Sequence, residues 1–144
     1  MTDENGAFPE SIARNMRELE AQFARLLTAP IIKFDRGCRR SLPETQGVYR
    51  IYHPDAPAVT IRAGRTKEAA GGLRQRVYQN HLMGDQPVNL RAQLVGDRVC
   101  VNLEAAKGYI RESLVVQFLE VQDSKERTWL EHYMLGALQP RYCD

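Results

Sequence analysis

Cysteine, tryptophan and long apolar runs are all scarce in this 144-residue chain. The three cysteines, Cys38, Cys100 and Cys143, are odd in number, far apart and not in any C-x-x-C pair. That argues against a disulfide framework and a structural zinc site, and fits a reducing cytoplasm. No apolar run approaches the ~20 residues that a membrane-spanning helix needs. The opening MTDENGAFPE is acidic and polar, unlike a secretory signal. Internal repeats and low-complexity stretches are also missing.

What is present is ordinary globular composition, 43% hydrophobic and 26% charged, in a length suited to one domain with a real core. The net charge of +2 conceals an uneven distribution. Between Arg36 and Arg98 there are 11 Lys/Arg against 5 Asp/Glu, while both flanking segments are acidic. A basic middle points to a polyanionic partner, and nucleic acid is the class it fits.

Taken in order, residues 1–9 read as a loose arm. Ile12, Met16, Leu19, Phe23 and Leu26 recur at steps of four and three, predicting an amphipathic helix from Glu10 or Ser11 to about Leu27. Ala29-Pro30 ends it, IIKF suits a short strand, and DRGCRR suits a basic turn. GVYRIYH and AVTIRAG are rich in β-formers around PDAP, where proline cannot continue a ladder. They predict an antiparallel hairpin with one buried face, Val59, Ile61 and Ala63 on one side and Thr60, Arg62 and Gly64 on the other. Gly71-Gly72 frees the backbone before a helix from about Leu73, whose Leu73 and Val77 face the core. NLRAQLVGDRVCVNL is ambiguous between helix, turn and strand. Tyr109 to Val121 reads as a strand, and a last helix spans about Lys125 to Leu138, stopped by Pro140. Trp129 and Tyr133 read as core, and His53 and His132 as structural. The order predicts an α+β fold with a small antiparallel or mixed sheet flanked by helices.

Several of these pieces, in this order, resemble the GIY-YIG nuclease superfamily. Gly47-Val48-Tyr49 resembles the first tripeptide, and Arg62-Ala63-Gly64 lies where the second belongs. LRQRVYQNH resembles the following helix, with Arg76 as its arginine. LEHYMLGALQPRY resembles the closing segment, with Glu131 as its glutamate. The resemblance covers about Leu42 to Cys143, dividing the chain into an arm and helix over 1–41 and a nuclease-like domain over 42–144. It implies single-metal cleavage of nucleic-acid backbone, DNA in the first place. Tyr49 would help to deprotonate the attacking water, Arg76 would offer a fork to phosphate oxygens, and Glu131 would hold Mg²⁺ or Mn²⁺. Gly47, Gly64, Arg62, Tyr78, Asn80 and His81 are the implied supporting residues. Arg36, Arg39, Arg40, Arg65, Lys67 and Arg74 are candidate phosphate contacts.

The chain departs from that pattern in three places. Arg62 and Ala63 replace the tyrosine and isoleucine of the second tripeptide, EAAGG lengthens the link to Arg76, and Cys143 replaces an asparagine. A guanidinium does not deprotonate in proteins, so Arg62 cannot serve as a base, although it can bind phosphate. Tyr52 and Tyr78 are alternative hydroxyls, and His81 is a candidate to orient Tyr49 or a phosphate. Two further classes remain: a binding module of the same fold that no longer cuts, and an interaction domain holding a partner, or a second copy, through its first helix.

Overall fold

The computed structural model describes residues 9–68 and 70–143. The arm expected over residues 1–9 therefore lies outside them, apart from Pro9. Helix α1 covers Glu10–Leu27, as its apolar spacing predicts. Strand β1, Ile32–Lys33, follows, and then a short helix α2, Cys38–Ser41, where a turn was expected. Ser41 and Leu42 amides bond back to Gly37 and Cys38, so the basic stretch closes one helical turn. Strands β2, Gly47–Tyr52, and β3, Thr60–Arg65, form the expected antiparallel hairpin.

A helix over Arg74–Leu82 comes next and has π geometry, with the Met83 amide bonding to the Tyr78 carbonyl five residues back. Helices α3, Leu90–Gly96, and α4, Leu103–Ser113, precede β4, Val115–Glu120, and α5, Ser124–Leu138. The strand expected from Tyr109 thus begins only at Val115. Asn102 caps α4 by accepting the Ala105 amide at 2.8 Å, and the helix it opens runs on through Tyr109 to Ser113. The VCVNL segment likewise contains no strand.

The four strands form one antiparallel sheet in the order β1-β4-β2-β3. Pairing of β1 with β4 puts part of the segment before Leu42 in the same sheet as the rest. The expectation of one buried face is corrected: every residue of β2 is buried. Tyr49, Ile51 and Val116 pack with Leu73, Val77, Leu90, Leu94 and Ile110 on one side. Val48 and Ala63 pack with Leu26, Leu130 and Met134 of α1 and α5 on the other. This central, doubly covered sheet is unusual for antiparallel strands, which commonly leave one face wet. The expected alternation along β3 is also broken. Ile51 pairs with Arg62 but Tyr52 with Thr60, so Ile61 is an unpaired bulge residue, and Val59 lies outside the strand, 55% exposed.

Along the outer edge of β3, the Arg141 and Tyr142 amides donate to the Thr60 and Ile61 carbonyls. Asp97 accepts from both the Tyr142 hydroxyl and the Arg141 guanidinium, pinning that strap. Among the described residues no helix is long and apolar enough to cross a membrane.

Candidate functional site

The hairpin register sets Tyr49 opposite Gly64. A β-carbon at Gly64 would lie 2.9 Å from Tyr49 Oη, so the ring occupies the space a side chain there would need. Gly47 is more tightly constrained, since its β-carbon would come within 2.3 Å of the Leu119 carbonyl oxygen. Two left-handed glycines, Gly71 and Gly72, bring the chain from the hairpin into the π-helix.

The π-helix carries His81 into the core, where Nε2 lies 2.6 Å from Tyr49 Oη. The Leu90 amide donates to His81 Nδ1 at 3.0 Å, so the imidazole caps the first turn of α3 in place of a side chain from Asn89. Burial, then the charges of Arg62 and Arg76, hold the His81 pKa well below its usual value. The ring is neutral, its Nδ1 is an acceptor, and the proton on Nε2 is donated to Tyr49. Both Tyr49 and His81 are fully buried.

Arg62 is fully buried too, donating to Gln93 Oε1 of α3 at 3.1 Å. It sits within the core beside His81 and does not present its fork to solvent. Tyr52 lies under the Arg50 guanidinium, and Tyr78 packs half-buried on the core.

Across the sheet edge, Arg65 points to the α5 side. Its Nη1 donates to Thr128 Oγ1 at 2.5 Å, and its Nε lies 3.6 Å from Glu131 Oε1. Glu131 is only 7% exposed, on the stripe Arg127, Leu130, Glu131, Met134 that α5 buries. Arg127 fastens the loop after β3, donating to the Thr66, Val121 and Gln122 carbonyls and to Glu68. Sequence reasoning passed over Arg127. The signal was a second charged residue, one turn before Glu131, on the apolar stripe of the helix.

An open cleft of about 430 Å³ is lined by Arg65, Thr66, Lys67, Gly72, Gln75, Arg76, Asn80 and Val88. Among the described residues this lining carries three cations and no carboxylate. The structure therefore brings Arg65, Lys67, Arg76 and Asn80 to one place. Arg76 acts electrostatically on His81 and thereby on the Tyr49 side, and Arg65 meets Glu131 on the other. Tyr49 and Glu131 themselves approach from opposite faces of the sheet.

The remaining candidate cations lie elsewhere. Arg74 bonds the Leu42 carbonyl and Glu44, and shares a smaller depression with Arg39 and Gln75. Arg36 and Arg40 are exposed at α2 and the turn before it. Trp129, expected in the core, is 58% exposed, because it lies on the α5 face turned from the sheet. Among the described residues no three His, Cys, Asp or Glu side chains cluster as a metal site. No protein-family model, curated protein or solved structure matches the chain.

Proposed function

We propose that the chain is a GIY-YIG-type endonuclease that holds the backbone of DNA in the cationic cleft and hydrolyses its phosphodiester bonds. The observation that supports this reading is the cleft itself. Arg65, Lys67 and Arg76 line it together, and Arg65 also reaches Glu131, a buried carboxylate outside the lining. Arg76 and Arg65 offer planar forks to phosphate oxygens, and Lys67 adds a point charge. In the transition state, where charge builds on those oxygens, the same groups bind more tightly than in the ground state.

The residues fit one Mg²⁺ or Mn²⁺ ion. At 3.6 Å the Glu131–Arg65 contact is too long for a hydrogen bond, so the carboxylate keeps lone pairs for a ligand. One carboxylate suffices for an ion that retains several waters, and bound there it supplies Lewis-acid polarisation of the phosphate. In this reading Tyr49 would take the water's proton as a phenolate, its own proton having first been lost to solvent. The Nε2–H of His81 steadies its oxygen and fixes its direction.

A second reading is favoured by one observation: Tyr49 is wholly buried, with its hydroxyl on His81. In that reading the fold binds nucleic acid without cutting it. One experiment separates the two: supercoiled plasmid and branched DNA are incubated with Mg²⁺ or Mn²⁺, beside EDTA and Glu131→Ala. Metal-dependent nicking that disappears in the variant supports the hydrolase. Salt-dependent binding without nicking supports the binding module. Absence of both overturns the two readings together.

A further inference from the structure

On the side of the molecule formed by α1 and α5, a groove of about 490 Å³ runs between the two helices. Asn15, Glu18, Leu19 and Gln22 line it from α1 at steps of three and four, so they form one helical face. Glu126, Trp129, His132 and Tyr133 do the same from α5. The ring of Phe23 meets that of Tyr133 edge-on at 5.6 Å, and this contact joins the two helices beside the groove.

The chemistry of this groove is the reverse of the cleft's. Its acidic groups are Glu18 and Glu126, and among the described residues neither lysine nor arginine lines it. Its aromatic surface is Trp129, more than half exposed, with Tyr133 beside it. A carboxylate next to an indole face is a setting for a guanidinium or ammonium, which gains both the charge and the ring quadrupole. The apolar surface continues along α1 through Met16 and Ile12, both about half exposed on the same stripe as Leu19. A strip with an apolar floor and acidic borders is complementary to a chain segment that is apolar on one side and basic on the other.

We infer that this groove is the docking site for a basic amphipathic segment of a partner protein, with an arginine or lysine seated between Glu18, Glu126 and Trp129. The inference stands apart from the cleft and does not depend on its activity. It gives the molecule two recognition surfaces of opposite charge, one for a polyanion and one for a polycationic peptide.

Trp129 is the single tryptophan of the chain, so its emission reports this groove alone. The full chain is titrated with a fluorescein-labelled amphipathic peptide of leucine and arginine, and with a counterpart bearing glutamate for arginine. The arginine peptide is expected to bind, seen as rising anisotropy, and to quench Trp129. The glutamate peptide is expected to do neither. Glu18→Gln with Glu126→Gln, which keeps shape and removes both charges, is expected to weaken binding at least tenfold. Circular dichroism and DNA affinity should stay unchanged in that variant. Equal binding of both peptides would mean apolar adhesion and overturn the inference. So would binding of the arginine peptide that the double substitution leaves intact, or no binding at all. Sedimentation that shows a dimer broken by the same substitutions would give the groove to a second copy and overturn it as well.

Discussion

His81 is the residue on which most depends, because its two ring nitrogens serve two buried partners in different segments. Replacing it with phenylalanine keeps the volume but leaves the Leu90 amide and the Tyr49 hydroxyl without it. Each orphaned buried group costs roughly 1–3 kcal/mol, so a loss of several kcal/mol is expected in urea unfolding. Its titration has a definite sign. In the folded chain the pKa is lowered by burial, while in the unfolded chain it returns to the ordinary histidine value. The unfolded state therefore binds the proton more readily, and stability is full above the unfolded pKa and falls as pH drops below it. The slope approaches about 1.4 kcal/mol per pH unit for one such group. Urea midpoints measured between pH 5 and 7 should show this decline in the native chain and lack it in His81→Gln. Glycines supply a second residue-scale prediction. Gly47→Ala meets a backbone carbonyl that cannot yield, whereas Gly64→Ala meets the end of the Tyr49 ring. Both should destabilise, Gly47→Ala more, and if the proposed cleavage is observed, Gly64→Ala should weaken it beyond its effect on unfolding.

At the scale of elements, what could be read in advance was whatever local pattern decides alone. The stripe of α1, the β-formers of β2 and the proline after α5 each announce their element. The boundary between α4 and β4 could not be read from apolar spacing, because ESLVVQF suits a strand, while the helix that takes in its first residues starts well upstream, at the Asn102 cap. Asn102→Ala should therefore cost about 0.5–2 kcal/mol, measurable by thermal or urea unfolding. The double burial of the sheet was hidden as well, since it depends on where α1 and α5 dock, which is a tertiary outcome. The candidate site was legible in the same uneven way. Tyr49, Arg76 and Glu131 stand in an ordered set, and Arg65 and Lys67 were visible as charges. The Tyr49–His81 contact needs the π geometry of its helix, and the roles of Arg62 and Arg127 need burial, which no local pattern announces for an arginine.

For the whole molecule, the charge arrangement leads to a thermodynamic expectation. If three cleft cations each neutralise one phosphate, log K for DNA falls with log salt at a slope of about −2.7. Arg65→Ala and Arg76→Ala should each reduce that slope by about 0.9 and weaken binding to all sequences alike. Fluorescence anisotropy across 50–200 mM salt reads both quantities.

The strap along β3 bears on how the folded protein avoids its own kind. A sheet with an open border is a template for another chain, and repeated pairing of that sort ends in fibres or precipitate. One border of this sheet is β1, only two residues long, which offers little to pair with. The other is β3, a full six-residue strand, and there the backbone of Arg141 and Tyr142 occupies carbonyls that a stranger would otherwise take. The Asp97 carboxylate that holds this strap ionises more readily than usual, through the Tyr142 hydroxyl first and Arg141 second. The clasp therefore stays charged further into acid than a free aspartate would. A clasp of three side chains at the rim of the sheet thus holds in place the backbone that covers two carbonyls of its longer border.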